Sequence, residues 1–136
     1  MKILFADDTA DTRFLYQLGL KIAGHEVHLA GDGLEAIQAV REQNFDIIVM
    51  DLDMPGMSGW EAIHVIRQME KGCDVPIVIL SAYYSTKYAD RVQLEKVSMV
   101  LSKPIMPEQL VLLLEGLFEK KCDERSERGT ENNDLD

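Results

Sequence analysis

Cysteine is scarce. Cys73 and Cys122 are the only two, far apart and outside any C-x-x-C pair. Two reduced thiols are therefore expected, not a disulfide scaffold or a thiolate metal site. His25, His28 and His64 are scattered, with no metal-ligand spacing. Long apolar runs are missing too. No stretch approaches the ~18 apolar residues of a membrane span. The apolar start Ile3-Leu4-Phe5-Ala6 is stopped by Asp7 and Asp8, short of the ~7–15-residue apolar core of a secretory leader, so a cytoplasmic protein is expected. Positive charge is in deficit, with 14 Lys and Arg against 24 Asp and Glu, a net charge of -10. Such a chain repels phosphate backbones and anionic lipid, so no direct nucleic-acid or membrane partner is expected.

What is present reads as one α/β domain. The 136 residues suit a single core, with 46% hydrophobic and 28% charged residues, an ordinary globular balance. The run Ile47-Ile48-Val49-Met50 is unbroken and apolar, as for a strand buried on both faces of a parallel sheet. It ends in Asp51, and the turn signals Pro55, Gly56 and Gly59 follow at once. Further strands are expected over Lys2–Ala6, Glu26–Ala30, Val75–Leu80 and Met99–Leu101. Helical stripes lie between and after them. Phe14, Leu15, Leu18 and Ile22 form one, and Leu34, Ile37 and Val40 another. Trp60, Ile63, Ile66 and Met69 form a third. The fourth helix, between Tyr83 and Val97, is the most polar, and the fifth carries Leu110, Leu113, Leu114 and Leu117. Five strand–helix alternations call for a doubly wound parallel sheet with right-handed crossovers. Residues 1–121 are expected to form the domain, and 122–136 a disordered polar tail.

The strand ends carry the chemistry. The first strand ends in Asp7-Asp8, the third in Asp51, the fourth in Ser81 and the fifth in Lys103. In a doubly wound sheet such ends gather at one edge, where ligands bind. Carboxylates alone would resist this, since two unit charges at about 4 Å cost roughly 4 kcal/mol at an effective dielectric near 20. A divalent cation relieves the repulsion. An all-oxygen cluster with few protein ligands suits Mg2+, which keeps waters and bridges to phosphate. A metal beside a carboxylate, a lysine and a hydroxyl is suited to phosphoryl transfer, with an aspartate able to form an acyl phosphate itself.

In these residues the chain resembles the receiver domain of two-component response regulators. The matching elements are the pair Asp7-Asp8, the D-x-x-M-P-x-M-x-G run from Asp51 to Gly59, Ser81-Ala82 and Lys103-Pro104. Gly31-Asp32-Gly33-Leu34-Glu35-Ala36 resembles a further family turn. The likeness covers about Lys2 to Lys121. It implies a flavodoxin-like five-stranded sheet of order 2-1-3-4-5 with five helices. It also implies that Asp51 takes a phosphoryl group from a phosphohistidine on a sensor histidine kinase or a histidine phosphotransfer protein. Asp8 and Asp51 would ligate Mg2+, with the backbone carbonyl of Asp53 and, through water, Asp7. Lys103 and Ser81 would contact phosphoryl oxygens, and Pro104, often preceded by a cis bond in the family, would fix Lys103. The helix from Tyr83, the strand Met99–Leu101 and the last helix would be read by an unidentified downstream protein. Phosphoryl uptake and slow self-dephosphorylation, rather than turnover of an external substrate, are what the resemblance implies.

The chain departs from the family pattern in three places. Val100 stands where a Tyr or Phe usually rotates. Lys96-Val97-Ser98 replaces a Gly-Ala pair. Asp53 and Tyr83 flank the route of attacking water and are expected to tune how long a phosphoryl group survives. Two rival readings fit less well. Asp51-Leu52-Asp53 resembles the D-x-D of haloacid-dehalogenase-like phosphohydrolases, but that motif stands on the first strand and precedes its later acids. A flavin-binding module needs a hydroxyl- and glycine-rich phosphate loop after the first strand, where this chain has Asp7-Asp8-Thr9-Ala10-Asp11.

Overall fold

Five parallel strands alternate with five helices in the computed structural model, which describes residues 1–82 and 88–134, with side chains to Glu124. The order along the chain is β1 (Lys2–Ala6), α1 (Ala10–Ile22), β2 (Glu26–Ala30), α2 (Gly33–Glu42), β3 (Ile47–Asp51), α3 (Gly59–Arg67), β4 (Ile77–Ser81), α4 (Ala89–Leu94), β5 (Met99–Ser102) and α5 (Pro107–Asp134). The sheet order is β2-β1-β3-β4-β5, as the resemblance implies.

The inner strands bury both faces, which explains their unbroken apolar sequence. Alternate residues point to opposite sides. Leu4, Ala6, Ile48, Met50, Ile77 and Ile79 join the core layer beneath α2 and α3. Ile3, Phe5, Ile47, Val49, Val78 and Leu80 join the layer beneath α1 and α5. Two helices start on designed caps: Asp32 accepts from the Glu35 amide, and Ser58 accepts from the Glu61 amide. α1 starts at Thr9 without a side-chain cap.

The helix faces differ in places from those expected. On α1 the stripe Phe14, Leu15, Leu18 and Ile22 points to solvent, at 48–78% exposure, while Tyr16 and Leu20 enter the core. The i, i+4 pair Tyr16 and Leu20 sits over β1, with the Tyr16 ring stacked on Phe5 at 5.3 Å. Gly19 faces α5, where a Cβ would stand 2.7 Å from the Pro107 Cβ. On α5 the buried set is Leu110, Val111 and Leu114, with Leu113 at 37% exposure. Leu34 of α2 is exposed. The fourth strand starts two residues later than expected, at Ile77, and ends one later, at Ser81. The described fourth helix runs from Ala89 to Leu94, and the expected contacts of Tyr83 and Tyr84 fall outside the described residues. The backbone of α5 continues through residues 122–134, where a tail without structure is expected. Its Glu, Lys and Arg residues are good helix formers, so solvated charge does not by itself end a helix. Among the described residues no helix is long and apolar enough to cross a membrane.

Candidate functional site

Strand register brings the acids together. Ala6 of β1 pairs with Met50 of β3, so Asp7 and Asp51 follow side by side at the same level. Asp51 pairs in turn with Leu80, and Ser81 comes next on β4. Ser81 pairs with Ser102, and the Lys103 amide donates to the Ser81 carbonyl at 2.9 Å. All these groups therefore leave the sheet at one edge.

Asp7, Asp8 and Asp51 each present a carboxylate oxygen, and these oxygens lie within 4.8 Å of one another. Asp7 and Asp51 are buried, and Asp8 is exposed at the mouth. The Lys103 ammonium donates to Asp7 Oδ2 at 2.7 Å and to Asp51 Oδ2 at 3.2 Å. The Lys103–Pro104 peptide that places it is cis. Three carboxylates facing one ammonium keep an excess of negative charge. With hard oxygen donors only, the set fits a divalent cation such as Mg2+ and not a thiolate-seeking metal.

Local hydrogen bonds orient each acid. Asp7 Oδ1 accepts from the Thr9 amide at 2.9 Å, and Asp51 Oδ1 accepts from the Asp53 amide at 3.1 Å. The Asp53 side chain is exposed, outside the three-acid group. Burial pushes the Asp51 carboxyl above its ordinary value, against the opposing pull of the Asp53 amide and the Lys103 charge. Burial pulls Lys103 down, but the hydrogen bond to Asp7 and the charge of Asp51 outweigh it, so its pKa is raised.

Two supporting residues escaped the sequence reading. Arg13 Nη1 donates to the Asp7 carbonyl at 2.7 Å, holding the turn that carries both acids. The Tyr16 hydroxyl donates to the Ile105 carbonyl, tying α1 to the segment after Lys103-Pro104. Arg13 reaches back six residues to its backbone partner and Tyr16 reaches forward 89, and no local pattern marks either contact. Gly59 is the third requirement. Its amide donates to the Leu52 carbonyl at 3.0 Å, and a Cβ there would lie 2.3 Å from the Asp51 carbonyl oxygen. The obstacle is backbone and cannot step aside. Gly59→Ala is expected to cost about 3 kcal/mol or more, read as a lowered urea midpoint, and an unchanged midpoint would refute this close seating.

A family model for the response regulator receiver domain matches residues 3–115. The chain belongs to the response regulator receiver domain family. Among its relatives, the transcriptional regulatory protein PrrA of Mycobacterium tuberculosis is 34% identical over 122 residues, covering 88% of this chain and 51% of PrrA. The receiver spans about half the length of the first curated relatives it matches. The chemotaxis protein CheY4 of Vibrio cholerae superposes with a TM-score of 0.80 at 32% identity, covering 84% of this chain and 95% of CheY4. The receiver domain of the sensor histidine kinase PA1611 from Pseudomonas aeruginosa PAO1 superposes with a TM-score of 0.78 at 27% identity, covering 87% of this chain and 97% of that one. That structure carries a magnesium ion coordinated in its active-site cleft. The phosphohydrolase reading finds no support beside this match: in the receiver the acid pair leaves β1 and the D-x-D leaves β3.

Proposed function

We propose that this receiver stores a signal as an acyl phosphate on Asp51, formed with Mg2+ from a phosphohistidine on a sensor histidine kinase or histidine phosphotransfer protein. The observation that carries the reading is the Lys103 ammonium bridging Asp7 and Asp51 beside an exposed third acid. A carboxylate oxygen of Asp51 bonds to phosphorus while the P–N bond of the donor breaks, its electron pair staying on the imidazole nitrogen. The Lys103 and Asp53 donors favour the ionised carboxylate needed for attack, against the burial that opposes it. Lys103 then has a phosphoryl oxygen as a partner, and Ser81, buried at the neighbouring strand end, is assigned another. Asp8, Asp51, the Asp53 carbonyl and, through water, Asp7 would hold the cation. When bound, the cation supplies charge neutralisation for the acids and the incoming phosphoryl group. The outcome is a switched protein contact, not turnover of a small substrate. The partner-reading surface is assigned to α4, β5 and α5. The family's rotating ring is missing from it, since Val100 is half-buried in β5.

Mg2+ titration with thermal unfolding tests the cation. A ligand bound only by the native state adds about 2.7 kcal/mol at one hundred times its dissociation constant, so the melting temperature should rise with Mg2+. Removing an outer-shell partner of a metal commonly weakens binding ~10–100-fold, and loss of a direct ligand in Asp8→Asn should weaken it at least as much. An Asp8→Asn protein with the parent's Mg2+ response would remove Asp8 from the ligand set.

A further inference from the structure

Among the described residues, α3 touches both the acceptor strand end and α4 with its following turn. Its first residue, Gly59, is seated on the Asp51–Leu52 backbone without room for a Cβ. From there Trp60, His64 and Arg67 follow at i, i+4 and i+7, which places them on one face of the helix. Each of the three contacts α4 or the turn after it.

Trp60 is buried, with its ring 5.7 Å from that of Tyr88 and the Arg91 guanidinium 5.8 Å from its centroid. Its Nε1 is the one buried side-chain nitrogen or oxygen without a hydrogen-bond partner among the described residues. His64 Nδ1 lies 2.8 Å from Glu95 Oε1. Arg67 Nε donates to the Glu95 carbonyl at 2.8 Å, and Nη2 donates to the Lys96 carbonyl at 3.0 Å. Its Nη1 donates to the Gly72 and Val75 carbonyls, anchoring the same guanidinium in the segment before β4. Lys96 adopts a φ of 54°, a conformation that costs a side-chain-bearing residue energy and persists where neighbours hold it.

Among the described residues, little else holds α4. It is six residues long and none of them is buried. Among the described residues, Tyr88, Val92 and Val97, all partly buried, join the core layer from this region. An element with so few buried contacts opens at low free energy, and its position is set by whatever side chains clasp it.

We propose that Trp60, His64 and Arg67 are positioning residues through which α3 couples the acceptor pocket to α4. As α3 shifts with the Asp51–Leu52 backbone, the stripe shifts with it, and α4 and the Glu95-Lys96 turn are repositioned or released. This gives the receiver a route to its output face that needs no aromatic side chain at Val100. The coupling rests on the assignment of Asp51 as acceptor, but the clasp exists in the unloaded protein.

Amide hydrogen exchange on the full chain tests both, with and without Mg2+ and beryllofluoride as the acyl-phosphate mimic. Arg67→Gln, which loses several hydrogen bonds from a charged group, should speed exchange across residues 89–96 about tenfold or more in the unloaded protein, and His64→Ala, whose contact with Glu95 is more exposed, about threefold or more. Exchange in β1 and β3 should be unchanged. In the parent, loading should alter exchange across the same residues, and both variants should lose most of that response while still taking up phosphoryl groups from acetyl phosphate, weighed by mass spectrometry. Tyr88→Leu, which removes the ring contact with Trp60 and no buried charge, serves if Arg67→Gln unfolds. Exchange across 89–96 within about twofold of the parent, in His64→Ala and either of the other two, overturns the clasp. A normal loading response in those variants overturns the coupling. A parent that takes up no phosphoryl group at all overturns the acceptor assignment instead, while the unloaded comparison still decides the clasp.

Discussion

Asp51→Asn is expected to abolish phosphoryl uptake from acetyl phosphate, leaving no mass gain under conditions that load the parent fully. The amide keeps the shape and can still accept from Lys103, whose ammonium lies 3.2 Å from Asp51 Oδ2. It has no anionic oxygen to form the bond to phosphorus. Stability should move the other way. Burial raises the folded pKa of Asp51 above its ordinary value. Its contribution to stability is therefore full below the unfolded value, near ~3.9, and is lost as pH rises through the folded value. At neutral pH the ionised carboxylate strains the native state, and Asp51→Asn should unfold at higher urea than the parent. At pH below about 4 the advantage should vanish. Loading of the variant at the parent's rate would move the acceptor elsewhere, and an advantage independent of pH would contradict the burial account.

Lys103→Met should be the most destabilising change among the charged groups of the pocket. The ammonium is shared by Asp7, with a side chain 1% exposed, and Asp51, with one 6% exposed. Without it two buried carboxylates face each other across adjacent strands. Removing one partner of a fully buried pair costs ~3–5 kcal/mol. Lys103 keeps 23% side-chain exposure, so solvent screening reduces the expected loss to about 2–4 kcal/mol. Asp7→Asn placed on top of Lys103→Met should recover much of it, because the two residues are coupled and their effects do not add. Urea unfolding of the two single variants and the double variant gives the cycle. A Lys103→Met protein within about 0.5 kcal/mol of the parent would mean that the bridge holds nothing in place.

Other features depend on neighbours far off in sequence. Tyr16 becomes a site support only because α1 lies against the segment after Pro104, at Ile105. The α3 clasp exists only because Glu95 and Lys96 are folded back beside His64 and Arg67.

The sequence by itself determined the alternation of strands and helices, the acids at the strand ends and the family they resemble. These are local signals: unbroken apolar runs that stop at a carboxylate, and turn residues that follow at once. Only the tertiary structure decided which arc of each helix faces the sheet. α1 is apolar around most of its circumference, so helical period cannot choose between Phe14, Leu18 and Ile22 on one side and Tyr16 and Leu20 on the other. The choice comes from the packing of Tyr16 on Phe5 and of Gly19 against Pro107, contacts between residues that one-dimensional spacing cannot relate.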